Sequence, residues 1–77
     1  MWTEQNNELV RHFEFANFIE AFAFLTKVAI VCEKHNHHAH ITNVFNKVTL
    51  RLNSHSEGYI VTQKDRNLAA NIDKLLN

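Results

Sequence analysis

Four of the six histidines in this 77-residue chain fall within eight residues, Glu33-Lys34-His35-Asn36-His37-His38-Ala39-His40. Imidazole, with an unperturbed pKa of about 6.5, both donates and accepts protons near neutral pH. A cluster of this kind supports three readings: an acid–base site, a metal site, or a solvated polar helix end. His37 and His38 are adjacent, so their rings point in different directions and meet one ligand only if it sits in a crook of the chain. Taken alone, such a cluster is most simply a solvated helix end. His35/His38 and His37/His40 are each three apart, close enough on a helix to share an ion. Zinc centres use three or four ligands, however, and the H-E-x-x-H and C-x-x-C spacings are absent. No native metal site is expected, and adventitious binding of zinc or nickel remains compatible with the pattern.

Two more residues carry chemical interest. His55 lies just past a strand-like stretch, in a loop, where polar functional groups collect on a rigid scaffold; alone it reads as an ordinary loop histidine. Asp65 stands three residues after Thr62 and is most simply a helix-capping carboxylate. Orienting a site histidine is its other reading, and that needs the tertiary fold to bring the two together.

The elements that position these residues are legible. Trp2 to Glu4 reads as a short edge strand, Asn6-Asn7 as a turn, and Leu9 to Phe15 as a half-buried strand with Phe13 and Phe15 on one face, so residues 2–15 form a hairpin. Asn17 begins a helix as N-cap, with Glu20 three residues later. Phe18, Phe22, Leu25, Ala29 and Cys32 make one apolar stripe on it. Phe24, Val28 and Val31 make a second, read here as a subunit interface, with a broad core-facing surface as the alternative. Asn36 suits a left-handed helix end. Ile41 to Phe45 and Val48 to Asn53 read as strands around an Asn46-Lys47 turn or bulge. Ser54 to Val61 is a loop, and a last helix starts at Thr62, its apolar stripe being Leu68, Ala69, Ile72, Leu75 and Leu76. The order β-β-α-β-β-α implies an α+β two-layer domain, a four-stranded antiparallel sheet with both helices on one face.

Composition narrows the function classes. Eight basic and eight acidic side chains balance. No basic stripe exists to neutralise phosphates, which argues against direct nucleic-acid binding. The longest apolar run contains Glu20 and Lys27 and is too short and polar to span a bilayer. The N-terminus does not read as a signal peptide, and a cytoplasmic single domain over residues 1–77 is expected. The one cysteine, Cys32, sits in an apolar run and reads as a small buried hydrophobe.

Taken in order, E-K-H-N-H-H, then N-V-F-N-K-V-T-L-R-L-N-S-H, a glycine loop and T-Q-K-D-R-N-L-A-A-N-I-D resemble the pterin-4a-carbinolamine dehydratases. The upstream R-H-F-E-F-A-N-F-I-E-A-F-A-F-L-T-K-V-A is similar to the same family. The resemblance implies dehydration of a 4a-hydroxytetrahydropterin to the quinonoid dihydropterin, in recycling of the tetrahydrobiopterin used by aromatic hydroxylases. It implies that His37, His38 and His55 surround the pterin with Asp65 close by, and that Ala39 and the segment Ser54, His55, Ser56, Glu57 line the pocket. One imidazolium protonates the leaving hydroxyl and one neutral imidazole takes the N5 proton; His38 is expected as the principal acid–base group. No redox step occurs, so no cofactor or metal is needed. The expected partners are a small pterin and further copies of the chain, as a homodimer or homotetramer through the Asn17–Cys32 helix. A non-catalytic pterin-binding or regulatory dimerisation module is the alternative. The sequence departs from the family pattern at Asn36 (usually acidic), Ala39 (usually proline) and Ile41 (usually a bulky aromatic), and its His55-to-Asp65 loop is one residue longer.

Overall fold

The structure, a computed structural model, describes residues 1–76. Six main elements follow in order: β1 (Thr3–Gln5), β2 (Glu8–Glu14), α1 (Phe18–His35), β3 (His40–Val44), β4 (Lys47–Leu52) and α2 (Gln63–Asp73). Short 3-10 turns lie at His55–Glu57 and Lys74–Leu76. The sheet is antiparallel throughout, with strand order β1-β2-β4-β3. β2 and β4 are central and pair from Leu9↔Leu52 to Glu14↔Lys47. This is the α+β arrangement read from the sequence.

Each reversal has a local cause. Asn6 and Asn7 both adopt left-handed backbone (φ 50° and 63°), the conformation that matches a tight turn to the twist of its strands. The second hairpin turns at Phe45-Asn46, one residue before the expected Asn46-Lys47, and Phe45 takes the left-handed position (φ 51°). Asn46 is committed elsewhere: its side chain donates to the Phe15 carbonyl (2.8 Å) and its own carbonyl accepts from Phe15 N–H (2.9 Å). Those bonds tie the turn to the end of β2.

Asn17 caps α1 by accepting the Glu20 N–H (2.9 Å). The Glu20 carboxylate reaches back to the Ala16 N–H (3.4 Å) rather than to the cap residue itself. At the other end Asn36 is left-handed (φ 48°, ψ 43°), its N–H bonding Glu33 O, and His37 N–H bonds Cys32 O (3.1 Å each). The polar side chain of asparagine tolerates this conformation where glycine is absent.

The core lies between the sheet and both helices. Leu9 and Phe13 of β2 and Val48, Leu50 and Leu52 of β4 meet Ala21, Phe24, Leu25, Val28 and Cys32 of α1, and Leu68, Ala69 and Ile72 of α2. Phe24 stacks obliquely on Phe13 and Phe15, ring centres 4.9 and 5.0 Å away. The assignment of stripes on α1 is therefore corrected. Phe24 and Val28, read as an interface, are core, and Val31 packs partly against it. Phe18 and Phe22, read as core, are 48% and 54% exposed and pack on each other. Apolar residues occur nearly all round this helix, so periodicity alone could not select the arc the sheet covers.

The chain ends are joined. Trp2 Nε1 donates to Asp73 Oδ1 (2.8 Å), and Arg11 Nη1 donates to the same oxygen (2.8 Å) while its guanidinium lies over the Phe13 ring. Among the described residues no helix is long and apolar enough to cross a membrane.

Val28 is fully buried and Phe22 is not, so the two positions should answer a polar substitution differently. Val28→Asp buries an unpaired carboxylate and is expected to cost several kcal/mol, a large part of the roughly 5–15 kcal/mol that holds a small domain together. Phe22→Ser is expected to change monomer stability by under about 1 kcal/mol. Urea unfolding followed by circular dichroism separates the two outcomes.

Candidate active site

The left-handed turn at Asn36 sends the two adjacent imidazoles apart. His37 folds inward to α2, where its Nε2 meets Asp65 Oδ1 at 2.5 Å. His38 turns back along α1, its Nε2 2.9 Å from Glu33 Oε1. The two pairs differ in surroundings. The side chains of His37 and Asp65 are 15% and 0% exposed, those of His38 and Glu33 61% and 80%.

Asp65 is the third residue of α2 and completes a capping box, accepting the Thr62 N–H on Oδ2 (2.8 Å). Ser54 Oγ also bonds Oδ2 (2.9 Å) and lies 2.6 Å from Thr62 Oγ1. An ionised carboxylate only accepts, and a hydroxyl has one proton. Ser54 therefore donates to Asp65, Thr62 donates to Ser54, and Lys64 N–H donates to Thr62 Oγ1 (3.3 Å). Burial pushes the Asp65 carboxyl up, but hydrogen bonds from His37, the Thr62 N–H and Ser54, with the charge of His37, hold it below the usual carboxylate range. A buried carboxylate with three donors stays charged for this reason. Because Oδ1 accepts, neutral His37 carries its proton on Nε2 and leaves Nδ1 free.

β4 ends at Leu52, and Asn53 and His55 follow at its rim. A cleft of about 270 Å³ opens there, lined by Asn36, His37, His38, Asn53, His55 and Ser56. Three imidazoles from two distant stretches thus border one hollow. A second cleft of about 380 Å³ adjoins it across the shared residues His38, Asn53 and His55. Its further walls include Ala39 and His40.

Not every residue expected to line the pocket does so. Ala39 and Ser56 line the second and first clefts respectively. Ser54 is buried behind them and acts on Asp65. Glu57 is exposed at the end of the 3-10 turn, on the rim of neither cleft. Of the other clustered histidines, His35 turns to Asn71 of α2 (3.2 Å) and His40 sits on β3 opposite Arg51. Sequence reasoning missed Glu33 as the partner of His38, because five residues is not a helical contact spacing and only the Asn36 turn closes it. It also missed Asn53, whose one signal was a polar residue ending the β4 alternation. Burial pushes the Cys32 thiol up, partly offset by the Ala39 N–H. Among the described residues no three of His, Cys, Asp and Glu stand close enough to share a metal ion.

Residues 1–75 match the family model described as pterin 4 alpha carbinolamine dehydratase. A protein of Prochlorococcus marinus strain AS9601, named "putative pterin-4-alpha-carbinolamine dehydratase", is 50% identical over 99% of this chain and 78% of its own. The counterpart from strain MIT 9312 is 47% identical over the same shares. Among solved structures, a transcriptional coactivator/pterin dehydratase from Brucella melitensis superposes with TM-score 0.91 at 31% identity, covering 99% of this chain and 82% of that one. A pterin dehydratase-like protein identified as a RuBisCO assembly factor in the alpha-carboxysome superposes with TM-score 0.80 at 27% identity, over 96% and 87%. A family match over residues 1–75, with relatives up to 50% identical across nearly all of this chain, means that this chain belongs to the pterin-4α-carbinolamine dehydratase family.

Proposed function

We propose that the chain is a cytoplasmic enzyme that dehydrates 4a-hydroxytetrahydropterin to the quinonoid dihydropterin. The observation that carries this reading is the meeting of His37, His38 and His55 at one cleft, with a buried carboxylate fixing the first of them. The reaction breaks the C4a–O bond and forms C4a=N5. The hydroxyl leaves as water with a proton from an imidazolium, and the N5 proton passes to a neutral imidazole, so the histidines together return to their starting charge. His38 borders both clefts and its ring is open to solvent, which suits the principal proton carrier. His37, anchored by Asp65, presents Nδ1 to the hydroxyl in one orientation, and His55 faces it from the β4 rim.

A second reading is a non-catalytic assembly or dimerisation module. The similarity to a RuBisCO assembly factor favours it, together with the exposed apolar surface of α1 formed by Phe18, Ile19, Phe22 and Ile30. Self-association as a homodimer or homotetramer through that same helix is compatible with either reading.

Purified protein is expected to accelerate loss of the 4a-hydroxyl, followed by absorbance, and His38→Ala to slow it by roughly 10²–10⁴-fold with the fold intact by circular dichroism. Full turnover in a His37→Ala/His38→Ala double variant would remove the enzyme reading and favour the module.

Asp65 also sets a pH dependence. Its carboxyl is depressed in the folded state, so its contribution is present above the ordinary carboxylate pKa of about 3.9 and is lost as pH falls through the lower folded value. The urea midpoint is expected to decline below about pH 4 in the wild type. Asp65→Asn should be less stable at pH 7 by about 1–3 kcal/mol and show a shallower acid decline. An unchanged acid profile in the variant would contradict this account of Asp65.

For assembly, Phe22→Glu is expected to shift the protein to smaller species in sedimentation velocity. A wild type that already sediments as a monomer would end the self-association proposal.

A further inference from the structure

The second cleft carries a chemistry that proton transfer at the histidines does not use. Arg51 projects from β4 on the sheet face away from the helices, between Val10 of β2 and His40 of β3. Its Nη1 lies 3.9 Å from Glu8 Oε1. That is beyond hydrogen-bond length, so the two groups keep their donors and acceptors while each tempers the other's charge. Both line the cleft. A phosphate or carboxylate there would meet Arg51 but face Glu8. An alkyl group would strip water from both. A group with several hydroxyls can donate to Glu8 and accept from Arg51 at once, bridging the gap that the pair leaves open.

Tyr59 also lines the cleft. It adopts a left-handed backbone (φ 61°) directly after Gly58 (φ 86°), a conformation that costs a non-glycine residue about 1–3 kcal/mol. The loop enforces it. Tyr59 N–H bonds Ser54 O (3.0 Å), Gly58 N–H bonds His55 O (3.2 Å), and Ser54 N–H bonds Ile60 O (2.8 Å). The result is a 63% exposed ring 4.8 Å from that of His55, which borders both clefts. Strain maintained in the backbone to set an aromatic ring beside the His55 imidazole gives the cleft an apolar wall.

We propose that this second cleft is a recognition subsite for a polyhydroxylated substituent on the substrate ring, with Arg51 and Glu8 as its specificity-determining pair and Tyr59 as its wall. The proposal rests on the dehydratase reading for the placement of the ring among the histidines. The subsite, larger than the histidine cleft, accepts a tail of several carbons. Its selectivity is for hydroxyl groups over either an alkyl or an anionic tail.

The test is equilibrium binding of three stable dihydropterins, read by ligand fluorescence: one bearing only a methyl group, its trihydroxypropyl counterpart, and the phosphate ester of that tail. The wild type is expected to bind the hydroxylated ligand roughly tenfold or more tightly than the methyl ligand, and the phosphorylated one no better than the hydroxylated one. Arg51→Met keeps the aliphatic stem of the side chain, and Glu8→Met removes only the acceptor; each should bring the hydroxylated-to-methyl ratio toward one. Equal binding of the methyl and hydroxylated ligands by the wild type, tightest binding of the phosphate ester, no binding of any of the three, or an unchanged ratio in either variant would overturn the proposal. The wild-type comparison decides even if a variant does not fold. Turnover of the methyl-substituted carbinolamine by the wild type is read separately. Tail selectivity without turnover would sink the dehydratase reading and leave the subsite standing, whereas turnover without selectivity would do the reverse.

Discussion

One buried carboxylate holds the site in place. Asp65 accepts from the N-cap of α2, from a serine at the exit of β4, and from an imidazole that leaves the end of α1. Three separate stretches of chain are thus joined through two oxygen atoms. Leaving any of these donors unpaired inside the protein would cost about 1–3 kcal/mol, so the contacts reinforce one another. The helix start, the strand exit and the His37 ring cannot shift independently. The His37 edge of the cleft is therefore tied to the first turn of α2, although most of the lining belongs to turns.

The two histidine–carboxylate pairs illustrate how adjacent residues acquire different work. His37 and His38 share a sequence context, yet the left-handed residue before them directs one ring to a buried anion and the other to a solvent-exposed one. Attraction to the exposed carboxylate is screened and weak, on the order of a surface ion pair, so the His38 ring is free to turn toward a ligand. The His37 ring is held by a carboxylate that water does not reach. A fixed imidazole beside a movable one is a sound arrangement for handing a proton from a bound molecule to solvent.

Much of this is legible in the sequence alone. The strand alternation of β4, the Asn17 and Thr62 caps, the Asn6-Asn7 turn and the left-handed Asn36 each follow from local chemistry that the sequence displays directly. The arc of α1 that faces the sheet was not legible, because Phe18, Phe22, Phe24 and Val28 are all apolar and only the position of β4 selects among them. The same limit applied at the cleft. His37, His38, His55 and Asp65 were identifiable by type and family resemblance, but the partnership of Ser54 with Asp65, of Glu33 with His38, and the approach of Arg51 to Glu8 depend on three-dimensional closure. The one-residue extension of the His55–Asp65 loop was visible as a length. That the loop carries a strained tyrosine at the cleft wall required the backbone angles.

The contact between Trp2 and Asp73 spans 71 residues of sequence. The entropy lost on closing a loop grows with its length, and the paired central strands shorten the effective separation that this bond must close. β2 and β4, paired in the middle of the sheet, bring Arg11 beneath the start of β1 and beside the last turn of α2. The indole shares its acceptor with Arg11. The one tryptophan thus sits where the first strand is latched against the closing helix, and its environment reports whether that latch is made.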